Sequence, residues 1–401
     1  MSAGTHLLLL ALCVTVQTAH TQDATPRWLA LHREAVVADG HNDLLYSVMH
    51  GVDITRRTKV GHSDLVRFRE GGVDLQFFSI WLPGSARRSA AEARAYAMRE
   101  IDSLEAIARR APDALRIVRT RADVDAAVRD GALAALIAFE GAYPLDGSLD
   151  NLRAFHARGV RCIAPTWNDS VPWASSSVDE SAPASRGRGA KEGRARLAGL
   201  TPHGRMLVRA MDSLGILLDV SHLGERATAD LLDAVRSPVI ASHSGCRALR
   251  DHHRNLRDEQ IRAIAARGGV VMVNFFPPYL RALPRTWAAR TAKANAAISA
   301  LRLAQTGWSV LALSAADSII ARAAREGLVT LRDVADHIDH IVKLGGAGAA
   351  GLGTDFDGID QTPVGIPDIS HLPLLTRELM RRGYTDADIR AILGANTLRL
   401  L

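Results

Sequence analysis

The chain has 401 residues, 47% of them hydrophobic and 23% charged, and carries a formal net charge of +6. Such length and apolar content exclude a disordered chain and support a large core, in one barrel-sized domain or two smaller ones. The Arg residues behind the charge are scattered through helix-like stretches such as Arg94 to Arg110, with no dense Lys/Arg block and few aromatics between them. They describe a solvated basic surface and no nucleic-acid partner.

At the N-terminus a short polar start, the apolar run Leu7 to Val16, and small and polar residues through Ala19 read as a secretory signal over residues 1–21. The run is too short for a stable membrane anchor, and Cys13 within it lacks the small preceding residue of a lipoprotein cleavage site. The expectation is one mature domain over residues 22–401, periplasmic or secreted. Cys162 and Cys246 read as separate buried residues, although an oxidising compartment permits a bridge.

Eight short apolar or β-branched runs follow: Ala35 to Asp39, Val73 to Trp81, Ala132 to Phe139, Val160 to Thr166, Ile216 to Val220, Val239 to Ser242, Val270 to Phe275 and Ala350 to Gly353. Several lack polar alternation, as strands buried on both faces of a parallel sheet do. Between them, Ala90 to Arg110, Thr201 to Leu214, Gly224 to Val235 and Asp258 to Arg267 repeat apolar residues at helical spacing over a charged face. Strand then helix, repeated eight times, predicts an α/β fold, a closed (β/α)8 barrel of the TIM type. Insertions are predicted after the fourth and seventh of these strands. Ser175 to Gly199, rich in Ser, Gly, Arg and Ala, reads as a long mobile loop, and Pro277 to Thr330 is Ala-rich with helix-like parts. Leu372 to Leu401 reads as two packing helices with breaks at Gly383 and Gly394.

The ends of these strands collect the chemistry. Asp39-Gly40-His41-Asn42-Asp43 closes the first, and residues two apart on a strand share a face, so His41 and Asp43 can turn toward one metal ion. Glu140 follows the third, His222 the fifth, His243 the sixth, and Asp355 with Asp357 the eighth. Such a barrel carries its active site on that carboxyl-terminal rim, and imidazoles with carboxylates suit zinc and its first-row neighbours. The set exceeds what one catalytic zinc needs, so two metal ions bridged by Glu140 are expected. Ions about 3.5 to 4 Å apart can hold a hydroxide and polarise the carbonyl it attacks, which is hydrolytic chemistry. Ser221-His222 and Ser242-His243 set hydroxyls beside imidazoles, but strand neighbours point to opposite faces, so no Ser-His couple is expected. The sequence holds no phosphate-cradling G-x-x-x-x-G-K-[ST] loop and no dinucleotide fingerprint, so nucleotide cofactors are not indicated.

In these motifs the chain resembles the membrane dipeptidase (renal dipeptidase) family of zinc-dependent metallopeptidases, in its bacterial form. DGHND at 39–43, FEG at 139–141, LDVSH at 218–222, ASHS at 241–244, HRN at 253–255 and GTDFDG at 353–358 occur in order over nearly the whole mature chain. The resemblance implies that His41 and Asp43 bind the first zinc, His222 and His243 the second, and that Glu140 bridges them. It implies that Asp355 shuttles a proton from the bridging water to the departing amine, and that Arg254 clamps the terminal carboxylate of a dipeptide. A homodimer, tolerance of a D-residue on the carboxylate side and β-lactam ring opening are further implications. Two departures stand out. Trp167, in Thr166-Trp167-Asn168, takes the place of a His that steadies the tetrahedral intermediate in mammalian members; indole donates one hydrogen bond and carries no charge, so that work shifts to the metals or to Asn168. Some bacterial members look similar to this chain there. Phe275-Phe276 replaces a Phe-Tyr pair and removes a polar contact. The residues leave two rivals open: a binuclear-metal lactonase or cyclic amidase of similar architecture, and a catalytically silent binding protein whose mouth Trp167 blocks.

Overall fold

The computed structural model describes residues 25–87, 89–182 and 197–401. Nine strands form one parallel sheet: β1 (Ala38–Asn42), β2 (Leu75–Trp81), β3 (Leu115–Val118), β4 (Leu133–Glu140), β5 (Val160–Ala164), β6 (Leu217–Leu218), β7 (Ile240–Ser244), β8 (Val270–Asn274) and β9 (Ala350–Gly353). β3 aside, each strand lies beside its successor, and β1 closes on β9. β6 meets β7 through the bridge Asp219–Ile240, where the Val220 N–H donates to the Ile240 carbonyl at 2.8 Å. This is the predicted eight-stranded barrel with helices between its strands. β3 is an addition that apolar patterning overlooked, being four residues long with a half-buried middle. It pairs with residues 133–136 of β4 and leaves 137–140 to β5.

Two cores explain the strand sequences. Inside the barrel Ala38, Phe77, Ala134, Leu136, Ala138 and Met272 pack together, while Ile137, Phe139, Val271 and Val273 face the helices outside. Both faces of β4 are therefore buried, which is why it reads as an unbroken apolar run. Two-residue steps along its inward face, from Ala134 through Ala138, arrive at Glu140 and deliver a carboxylate to the barrel mouth.

The histidines arrive differently. Pairing of β1 with β2 slips by one residue between Asp39 and Asn42, and pairing of β7 with β8 slips between Ala241 and Ser244. An extra residue in one strand disrupts the ladder and re-aims the side chains beside it; His41 and His243 stand within these two slips. β1 also runs on through Asn42, so Asp43 is no strand residue but begins the helix Leu44–Met49. His41 and Asp43 meet through an irregular strand end and a helix start, which corrects the expectation of a regular two-residue repeat.

The insertion after β8 folds into the helices Pro277–Leu280, Trp287–Ala300 and Val310–Arg325. The signal predicted over 1–21 lies outside the described residues, as does 183–196 of the predicted mobile loop. The described start of that loop is tied down. Ser176 caps the short helix Ser177–Ser181, and the Glu180 carboxylate accepts the N–H groups of Arg226 and Ala227 at 2.9 and 3.2 Å. At the C-terminus Gly383, at φ 86°, follows the end of helix Pro373–Arg381 as predicted, but Gly394 breaks nothing. It lies inside the helical turn Ala391–Ala395, where a side chain would strike the Val36 carbonyl, so glycine there serves close packing. Cys162 and Cys246 are buried and unbridged. No helix among the described residues is long and apolar enough to cross a membrane.

Two buried imidazoles make the fold sensitive to acid. His32 lies between Thr376 Oγ1 at 2.7 Å and the Gly71 carbonyl at 2.8 Å, and burial lowers it from 6.5 to about 4. Burial likewise lowers His337, set against the Leu280 carbonyl, to about 4. Both rings stay neutral in the fold while the unfolded chain protonates them near 6.5, so their contribution is complete above that pH and is lost as pH falls toward 4. Roughly 3 kcal/mol rides on each ring. Urea midpoints should fall steeply from neutral pH down to about 4, and His32→Asn should flatten part of that fall; an unaltered slope in the variant would refute this account.

Candidate metal centre

A cavity of about 410 Å³ opens on the carboxyl-terminal rim, with Asp43, Glu140, His222, Arg254 and Asp355 in its lining. His41 and His243 complete the cluster below them. Glu140 is its centre: Oε2 lies 3.6 Å from His41 Nε2, while Oε1 lies 2.8 Å from His222 Nε2 and 3.4 Å from His243 Nε2. His41 Nε2 also stands 3.4 Å from Asp43 Oδ2 and 3.9 Å from Asp355 Oδ1. Ligand-type atoms of His41, Glu140 and His243, and of His41, Asp43 and Asp355, lie close enough to share an ion.

Neighbouring groups fix which nitrogen of each ring faces inward. His222 Nδ1 meets the Asn168 side-chain oxygen at 3.0 Å, so it carries the proton and leaves a lone pair on Nε2. His243 Nδ1 meets Ser242 Oγ at 2.7 Å, and Ser242 gives its own proton to Asp219 Oδ2 at 2.5 Å. His243 therefore also presents a bare Nε2, only 3.0 Å from that of His222. Two lone pairs and a carboxylate oxygen converge with no proton between them, a contact that a cation turns from repulsive to favourable. His41 Nε2 and Asp43 Oδ1 are buried without any hydrogen-bond partner. The donor set, imidazole with carboxylate, fits zinc or a related first-row ion.

The charges are strongly coupled. Burial opposes the charge on His41, yet Glu140 and Asp43 hold its imidazole well above the ordinary value. Burial lowers His222, aided by Arg254, to about 3, and lowers His243, aided by His41, well below its usual range. Burial works against ionised Glu140, but the three imidazoles hold its carboxyl well below the ordinary value. Asp355 is raised to about 7 by burial, against His41 and with the charges of Asp43 and Glu140. Its Oδ2 accepts from the Asn274 amide at 2.8 Å. His222, Asp355 and Asp357 all adopt left-handed backbone, at φ 66°, 59° and 66°, the strain that packing sustains at functional sites.

The remaining sequence candidates fall as follows. Arg254 is buried, donates to the His243 carbonyl at 3.3 Å and leaves Nε without a partner; no acidic side chain among the described residues forms an ion pair with it. Trp167 lines the cavity beside His222, with ring centroids 6.3 Å apart. Asn168 lines it too, with its oxygen committed to His222. Asp357 accepts the His62 N–H at 2.8 Å and the Ser63 hydroxyl, so it braces its loop and stays out of the cluster. The expectation that neighbouring Ser and His cannot pair fails at Ser242–His243 because the register slips there. Ser242 is a fully buried proton relay to Asp219, which leaves it no access as a nucleophile.

Three supporting residues went unremarked in the sequence. Asp219 anchors the N–H groups of Ser221 and Ser242, each at 2.9 Å, and Asn274 holds Asp355. Both sit at strand ends, where the rim rule that found the ligands would have found them. Tyr279, whose ring lies 5.6 Å from the Arg254 guanidinium, has no such signal; the short helix after β8 carries it to the cavity.

A parallel eight-stranded barrel that gathers imidazoles and carboxylates on its carboxyl-terminal rim defines a metal-dependent hydrolase. The chain belongs to the membrane dipeptidase family, peptidase family M19, whose sequence profile matches residues 26–401. It is 30% identical over 403 residues to an uncharacterized dipeptidase of Schizosaccharomyces pombe, covering 94% of this chain and 82% of that one. Among solved structures it is similar to a dipeptidase AC of the same family, with a TM-score of 0.73 at 27% identity over 91% of this chain and 97% of the other. It is also similar to a metallo peptidase from Rhodobacter sphaeroides, solved with a phosphinate mimic of the dipeptide L-Ala-D-Ala, with a TM-score of 0.71 at 26% identity over 91% and 98%. The protein is thus a hydrolase of the dipeptidase type, from a metal-dependent family.

If Asn168 orients His222, Asn168→Ala should weaken zinc binding by about 10- to 100-fold. Competition against a chromogenic chelator reads this directly, and wild-type affinity in the variant would show that the ring needs no such support.

Proposed function

We propose that the protein hydrolyses the peptide bond of dipeptides with two zinc ions, one held by His41 and Asp43, the other by His222 and His243, with Glu140 between them. The observation that carries this reading is the convergence of the bare His222 and His243 Nε2 atoms, 3.0 Å apart, on one oxygen of Glu140 while its other oxygen faces His41. When bound, such a pair supplies Lewis acidity and an ionised water.

The chain's own residues do the rest. Arg254 is a desolvated cation with an unpaired Nε at the side of the cavity, and a substrate carboxylate would satisfy it by a charge-assisted hydrogen bond. Asp355 keeps Oδ2 on Asn274 and turns Oδ1 toward the cluster, so it can take a proton there and pass it to the leaving amine. Trp167 and Asn168 wall the site beside His222. The relative solved with an L-Ala-D-Ala mimic supports a D-residue at the carboxylate position. Opening of a β-lactam, a strained amide, is the same chemistry. Export by the segment at 1–21 would place this activity in the periplasm or outside the cell.

Chelation should abolish amine release from Gly-Leu and L-Ala-D-Ala, and added zinc should restore it. Arg254→Ala should raise KM for free dipeptides roughly 10- to 100-fold, with little effect on a dipeptide amide; dipeptide turnover left intact would favour a lactonase or cyclic amidase. Asp355→Asn should lower kcat by about 100- to 10,000-fold with the metal content unchanged by elemental analysis.

A further inference from the structure

We propose that the aromatic wall of Tyr46, Trp81 and Trp167 receives the side chain of the substrate's amino-terminal residue and makes the enzyme prefer dipeptides that begin with a large apolar or aromatic residue. The direction of the substrate in the cleft rests on the dipeptidase reading above.

Arg254 lies in the cleft against the His243 carbonyl and the Tyr279 ring. Trp81 ends β2 directly beside Glu140 of β4, and Asp43 begins the helix that carries Tyr46. A dipeptide with its carboxylate on Arg254 and its peptide carbonyl at Glu140 would carry its first residue on to these rings. Trp81 packs edge-on against Tyr46 at 5.4 Å and against Trp167 at 5.3 Å, and all three rings line the cavity.

This wall is built to stay in place. The Arg87 guanidinium stands over Trp167 at 5.2 Å and over Tyr143 at 4.8 Å, and is itself held by Asp169 at 2.8 Å. Arg87 does not line the cavity, so it backs the indole from outside. Rigid rings offer contact area with little ordering cost. Asp355, Asp357 and Asp360 also line the cavity, a setting that disfavours an acidic first side chain.

Steady-state kinetics of the zinc-loaded enzyme on Gly-Gly, Phe-Gly, Gly-Phe and Asp-Gly test the proposal. Phe-Gly should exceed Gly-Gly in kcat/KM by about 10- to 100-fold, and Asp-Gly should be the poorest. Trp81→Ala should cut the Phe-Gly to Gly-Phe ratio about tenfold or more, Trp81→Phe should restore much of it, and Tyr46→Ala, at a half-exposed helical site, should lower it without disturbing the core. Equal turnover of Phe-Gly and Gly-Gly, or variants that depress Gly-Phe as much as Phe-Gly, would overturn the pocket while leaving the dipeptidase standing. Failure of all four dipeptides would overturn both.

Discussion

Three lone-pair atoms, His222 Nε2, His243 Nε2 and Glu140 Oε1, lie within 3.4 Å of one another on the floor of a buried cleft. Left alone they repel, and water cannot spread the charge as it would at the surface. The surrounding structure holds them in place: Asn168 turns one ring, Ser242 and Asp219 turn the other, and the barrel wall fixes Glu140. Left-handed backbone at His222 and Asp355 costs of order 1–3 kcal/mol each, which a barrel packed on both faces of its strands can sustain. A divalent cation would relieve the crowding, which ties the proposed metal site to the geometry of the mouth.

That crowding also gives the cleft its polarity. Among the described residues Arg254 is the single buried guanidinium in the lining, whereas Asp355, Asp357 and Asp360 gather on the loop after β9. The aromatic rings contribute shape in place of charge, and the Arg87 guanidinium stands over one of them, Trp167.

Parity and its exceptions divide the residues of the cluster into two kinds. Glu140 follows the inward face of a regular strand, so any barrel that keeps β4 in register keeps the carboxylate. His41 and His243 depend on one-residue slips in β1 and β7, and His222 on an αL turn after a two-residue strand. The slip at β7 has a second result: it lets Ser242 reach its own neighbour's imidazole, which a regular strand forbids.

Much was legible in the chain before folding. Apolar runs without alternation located the eight barrel strands, and the placement of His41, Asp43, Glu140, His222, His243 and Asp355 at their ends marked the rim, because strand period and parallel topology are local consequences of residue order. The motifs at 39–43 and 353–358 carried the family likeness by themselves. Tertiary structure alone decided the rest. Only packing could add β3 to half of β4, tie Asp357 to Ser63, turn Gly394 from a break into a close contact, or carry Tyr279 and Trp81 to the two walls of one cleft. Each depends on atoms tens to hundreds of residues apart meeting within a few ångströms, a distance that no local pattern encodes.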